Sequence, residues 1–223
     1  MRNKLLLTAA LLMGTAISAP HLAAAAPLLQ YQVYDGATLI GSGSSATGNL
    51  LNGSGSDAKF TVSLNASGSP FLAAPNFSTN SFTVSSSGGA GVLTIKITDT
   101  GLTGYSGGSV ANTFSLNSLN GGAFTSGTIA NYFDNSNTAF GTGTLLASSS
   151  FTGDSSFADQ ASTVAAMPSG TFSETTIYTL NYGGGRNGTV SASSQLQAVP
   201  EPMSLSLLGA GLAAVGLVRR RRS

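Results

Sequence analysis

Asp99-Thr100-Gly101 is the triplet in this chain that stands closest to a catalytic signature. An aspartate placed just after an apolar strand can serve as an acid–base group, but only beside a second carboxylate that shares its proton. The chain holds one such triplet, and neither Asp134 nor Asp154 lies in a matching one. The triplet therefore reads as a turn ending the strand Val92–Thr98, where Asp and Gly are favoured anyway. The other acids are scattered, mostly between apolar segments. Glycoside hydrolysis by carboxylates alone needs two of them in one cleft at a set separation, which makes it a remote alternative. The only histidine is His21, near the N-terminus, and cysteine is absent. Beyond residue 26 that excludes Ser-His-Asp and Cys-His catalysis, as well as zinc or haem held by His or Cys. Lys96 falls on the expected solvent face of its strand and reads as a solubilising residue, not a base.

Other constellations are weaker. Asp134-Asn135-Ser136-Asn137, and Asp154 with Asp159, offer oxygen ligands of the kind calcium takes. Their spacing fits no twelve-residue calcium loop, so solvated turns are the reading and a structural Ca²⁺ the alternative; no cofactor is expected. Gly41-Ser42-Gly43-Ser44-Ser45-Ala46 has the look of a dinucleotide loop, but no amphipathic helix follows it and Asn49–Asp57 reads as turn; a flexible loop is expected. Tyr31, Tyr34, Tyr105, Tyr132, Tyr178 and Tyr182 could form a sugar platform if several converge on one exposed face.

These residues must be positioned by short alternating segments separated by Gly, Ser and Asn clusters, the pattern of antiparallel β structure. Val92–Thr98 is the clearest, with Leu93, Ile95 and Ile97 inward and Thr94, Lys96 and Thr98 toward water. Leu29–Tyr34, Lys59–Leu64 and Ser81–Ser85 behave alike, and Ala111–Leu116, Gly127–Phe133, Thr144–Phe151, Thr175–Tyr182 and Val190–Ala198 are further strands. Asn52-Gly53, Ser87-Gly88-Gly89, Asn120-Gly121-Gly122, Gly183-Gly184-Gly185 and Asn187-Gly188 are the turn signals. Asp154–Met167 could form one short helix. The expected fold is all-β: a single antiparallel, β-sandwich-like domain over residues 26–198.

The two ends carry a different message. Arg2 and Lys4, then the apolar stretch Leu5–Ile17, then small residues around Ala23-Ala24-Ala25, form a Sec-type signal peptide (residues 1–25) with cleavage expected between Ala25 and Ala26. At the other end Pro200-Glu201-Pro202 is followed by an apolar run to about Val218 and then by Arg219, Arg220, Arg221 and Arg222. The prolines stop any preceding strand. The run is short for a permanent span of about 20 residues. The arginines should remain cytoplasmic, placing the domain outside. Residues 199–223 resemble a PEP-CTERM sorting signal, the tail recognised by bacterial exosortases. The resemblance covers about a tenth of the chain. It implies Sec export, transient membrane insertion through a short transmembrane helix, processing at Pro200–Pro202, and a destination at the cell surface or in the extracellular matrix. Similar tails occur on some ice-binding proteins. The signature of that activity would be Thr-x-Thr ladders on a flat face, and Thr98-Asp99-Thr100 and Thr142-Gly143-Thr144 share no period.

Removing both ends inverts the charge. From Pro27 to Val199 three bases (Lys59, Lys96, Arg186) face seven acids, a net of −4, so no basic patch for nucleic acid remains. A Ser/Thr/Gly/Asn-rich domain of about 170 residues can bury a sizeable core without disulfides. The expectation is a non-catalytic exported matrix protein, associated with exopolysaccharide in a biofilm. A carbohydrate-binding module is the alternative.

Overall fold

The computed structural model describes residues 28–45, 50–68, 76–103, 109–119, 123–153, 156–163 and 170–199. Within them the chain is all-β, with twelve strands and no helix: β1 (Leu28–Asp35), β2 (Thr38–Ser45), β3 (Leu50–Ser56), β4 (Phe60–Gly68), β5 (Asn76–Ser86), β6 (Ala90–Thr103), β7 (Ser109–Leu119), β8 (Phe124–Asp134), β9 (Thr144–Thr152), β10 (Ser156–Thr163), β11 (Thr171–Gly183) and β12 (Gly188–Val199). They form two six-stranded antiparallel sheets, ordered β2-β1-β6-β11-β8-β9 and β10-β7-β12-β5-β4-β3. The alternation that defines the strands also supplies the core. Val33, Leu93, Ile95, Ile129 and Leu180 of the first sheet meet Phe60, Val62, Leu64, Val84, Phe114 and Val190 of the second, all essentially sealed from solvent. Burial on this scale, at about 25 cal/mol per Å² of apolar surface, holds the sandwich without disulfides. Aromatic edges add specificity, as where Phe82 meets Tyr178 at 4.7 Å between ring centroids.

Three sequence readings are corrected. Residues 41–45 and 50–56 are strands β2 and β3, not a flexible loop and a turn at Asn52-Gly53. Their glycines are there for close approach. A Cβ at Gly43 or Gly53 would lie 2.7 and 2.5 Å from the Tyr31 ring, and one at Gly41 would lie 2.6 Å from the Gly55 Cα. So β2 and β3, edge strands of opposite sheets, close one side of the sandwich around Tyr31. Its hydroxyl donates to the Ser54 carbonyl (2.9 Å) and accepts from the Ser54 N–H (3.0 Å). The second correction concerns residues 156–163 of the helix reading, which form β10, paired along its length with β7.

Third, Asp99-Thr100-Gly101 does not end its strand. It lies inside β6, and the pairing with β11 shifts there: Glu174 opposes Asp99 while Phe172 opposes Leu102. Two residues, Thr100 and Gly101, thus face one, Ser173. Gly101 takes φ 75°, and its N–H donates to the Asn137 side chain at 2.7 Å. This is a β-bulge, which uses the same Asp and Gly chemistry as a turn. It moves the inward parity by one residue, so that Leu102 points into the interior. Thr98, expected in water, is fully buried; its hydroxyl reaches the Glu174 carbonyl (3.0 Å) and the Thr175 hydroxyl (3.1 Å).

Candidate functional site

Ala25, Ala26, Pro200, Glu201, Pro202 and Arg219–Arg222 lie outside the described residues, as do Tyr105 and Asp154. The described chain runs to Val199, paired with Ser109 at the end of β12.

Two of the domain's acids, Asp99 and Glu174, lie in its interior. Asp99 is on the inward parity of Leu93, Ile95 and Ile97, and Glu174 on that of Thr176, Tyr178 and Leu180. The two are register partners, 1% and 2% exposed. Glu174 reaches across to the second sheet, where the Ser78 hydroxyl donates to its Oε2 at 2.9 Å; the Thr176 hydroxyl donates to its Oε1 at 3.0 Å. Thr176 also accepts from the Asn80 amide at 3.2 Å, and the Tyr178 hydroxyl donates to Asn80 Oδ1. The Asp99 carboxylate packs against the backbone of Gly68, where a Cβ would collide with it. Further along the same level Asn131 of β8 donates to Asn112 of β7 at 2.6 Å.

Together with Ser194 of β12 these groups make one transverse polar layer through both sheets. The main apolar core lies on one side of it. A small cluster of Leu102, Phe133, Leu146, Phe172 and Leu196 lies on the other.

Burial pushes the Glu174 carboxyl up to about 7, against the lowering effect of the Ser78 and Thr176 hydrogen bonds. Burial, and then the nearby Glu174 charge, raises the Tyr178 phenol well above its ordinary value. The layer can hold and release a proton near neutrality. At 1% and 2% exposure, neither carboxylate can flank a glycosidic bond or touch a dissolved substrate. Parity along β6 and β11 could have placed both acids inside from sequence alone. Their pairing could not be seen, because it depends on a register between segments 75 residues apart.

The five described tyrosines do not converge on one exposed face. Tyr31, Tyr178 and Tyr182 are core residues. Tyr34 and Tyr132 are half-exposed on the outer face of the first sheet, on β1 and β8, with β6 and β11 between them. In Asp134-Asn135-Ser136-Asn137, Asp134 ends β8 and Asn135-Ser136 form the turn that follows. Asp134 Oδ1 accepts the Ser136 N–H at 2.8 Å, and Asn137 takes a left-handed φ of 54°. Asp159 is on β10. Among the described residues no group of three or more acids or histidines gathers in metal-binding geometry.

The outer face of the second sheet is different in kind. Inward residues on β3, β4, β5, β12 and β7 alternate with exposed or half-exposed ones that lie in register. Asn52, Asn65, Ser81, Ser193 and Ser115 form one row, and Ser54, Ser63, Thr83, Ser191 and Asn117 the next. Rows beginning at Leu50 and Ser56 flank them, the first adding Ser67, Thr79, Gln195 and Thr113, the second Thr61, Ser85, Thr189 and the register position of Leu119. No described side chain in these rows is charged or aromatic. A shallow groove of about 340 Å³ runs over β4, β5, β12 and β7 between Ser63, Asn65, Ser81, Asn117 and Ser193. The first sheet's outer face instead carries Lys96, its ammonium 5.5 Å from the Tyr34 ring centroid, together with Ile177. Comparison with protein-family models, curated proteins and solved structures finds no match to this chain.

Proposed function

We propose that this is a non-catalytic exported protein, sorted by an exosortase to the cell surface or extracellular matrix and working there through its polar β surfaces in association with exopolysaccharide. The observation that carries the reading is the order of the last segments: Pro200-Glu201-Pro202, an apolar run, then Arg219–Arg222. A run of this length with a basic end suits a helix held briefly in the membrane and then cut. The signal-peptide pattern ahead of Ala26 agrees with it. The domain between supports the non-catalytic part, since its two interior carboxylates are sealed from substrate and it has neither His nor Cys.

Intact mass of the protein recovered from cell surface and medium, with and without the exosortase, tests the reading. Loss of the segment after about Pro202 that depends on the exosortase is the expected result. A full-length chain kept in the inner membrane of both strains would make the tail an anchor and overturn it.

A further inference from the structure

We propose that the outer face of the second sheet is a binding surface for uncharged polysaccharide. The inference deepens the matrix reading above by assigning the surface and the chemical class of its ligand. Strands lie about 4.8 Å apart and alternate residues about 6.7 Å apart, so the five strands and four rows cover roughly 19 by 20 Å. Apart from Leu50 at one corner, the described side chains of that array are hydroxyls and amides; the register position at the opposite corner, beside Thr189, is Leu119.

Each hydroxyl both donates and accepts, and each amide does both at once. The array can therefore match a polymer of hydroxyls in many orientations. Neighbouring strands already hold groups in pairs, as with Ser115 and Ser193, 2.6 Å apart. Held on a sheet, these groups lose little freedom when they bind.

Charge selects the occupant. An acidic polymer or nucleic acid would find no cation in the rows, and a basic partner no anion. A hydroxyl-rich neutral chain loses no ionic hydration on docking. Serine outnumbers threonine in the two central rows, nearly without methyl groups to order water by apolar contact, and this favours a hydroxylated polymer over an ice surface. The groove over Ser63, Ser81 and Ser193 gives the chain a shallow track. Without aromatic stacking each contact is weak, so retention should come from many rows engaging one long polymer.

Affinity electrophoresis of the protein purified from exporting cells, in native gels cast with dextran, hydroxyethylcellulose or galactomannan and with polygalacturonate as the acidic comparison, tests this. Retardation is expected in at least one neutral polymer and should exceed that in polygalacturonate. Ser81→Lys and Ser193→Lys should each weaken it about fivefold or more, whereas Thr179→Lys on the first sheet should leave it within about twofold. No retardation in any neutral gel, equal retardation of all variants, or inhibition of ice recrystallisation without retardation would overturn the assignment. The sorting reading fails separately: a retarded protein with an uncut tail sinks that reading alone, and a correctly cut protein that no gel retards sinks this one.

Discussion

Glu174 and Asp99 stand directly opposite each other on β11 and β6, both sealed inside the sandwich. Two acids in that relation are unfavourable if both are ionised, because like charges across a strand pair repel and neither has water to screen it. The fold tolerates them because Glu174 is held near neutral and its oxygens take the Ser78 and Thr176 hydroxyls.

A pH dependence follows. Glu174 has its folded pKa raised to about 7 from an ordinary value of 4.5, first by burial. Between those values the folded state binds more protons than the unfolded one, so stability falls as pH rises. The contribution is fully present below pH 4.5 and lost above about 7, and amounts to at most roughly 3 kcal/mol. Urea unfolding at pH 4.5, 5.5 and 7.5 should show that decline, and Glu174→Gln should flatten it. An identical pH profile in the variant would assign the dependence elsewhere.

Gly53→Ala should destabilise the domain by about 1–3 kcal/mol through overpacking against Tyr31, since its Cβ would sit 2.5 Å from the ring. Gly170→Ala, with nothing within 4 Å, should shift the urea midpoint by no more than about 0.5 kcal/mol equivalent. Equal midpoints for the two would show that the β2–β3 edge is looser than described.

Gly101→Ala places a Cβ on a residue with φ 75° and should cost about 1–2 kcal/mol. Gly101→Asn should cost less, because Asn tolerates the left-handed region. Urea midpoints of the two variants check the order; Asn as harmful as Ala would point to crowding at the bulge and not to its dihedral.

Asn131→Ala should cost about 1–3 kcal/mol, because it leaves Asn112 buried without its partner. The double replacement Asn112→Leu, Asn131→Leu should cost less than the sum of the two single leucine variants. A double-mutant cycle with no coupling would mean that the two amides do not act as a pair.

Much of this architecture is legible in the sequence where apolar residues alternate. Leu93, Ile95 and Ile97 announce β6, and Phe60, Val62 and Leu64 announce β4, each with its inward face correctly assigned. Legibility fails where burial comes from elsewhere. The inward positions of β2 and β3 include Gly41, Gly43, Gly53 and Gly55, whose contribution is the absence of a side chain, beside Tyr31 for Gly43 and Gly53 and where the two edges meet for Gly41 and Gly55, so no apolar signal marks them. β10 is hidden for a related reason, since its sequence carries helix-compatible alanines and an aspartate, and its pairing with β7 decides its state. Asp99-Thr100-Gly101 does signal an irregularity, but local chemistry cannot choose between a turn and a bulge. Each Ser or Thr of the second sheet's outer face is legible as solvent-facing; their assembly into rows depends on register between strands far apart in sequence.

The transverse polar layer also bears on how the strands find their alignment. Alternation repeats every two residues, so a strand displaced by two still presents apolar groups inward and hydroxyls outward. In a domain whose outward residues are nearly interchangeable serines and threonines, such a displaced pairing would forfeit little. The layer acts as a vernier mark. Displacing β11 by two would set Glu174 against Ile97 or Leu102 instead of Asp99, and take it away from Ser78. Only one alignment brings all the interior polar groups to the same level. Replacing them with apolar residues should therefore yield a chain that still collapses into sheets but populates more than one pairing, visible as multiplied amide resonances where the native protein shows a single set.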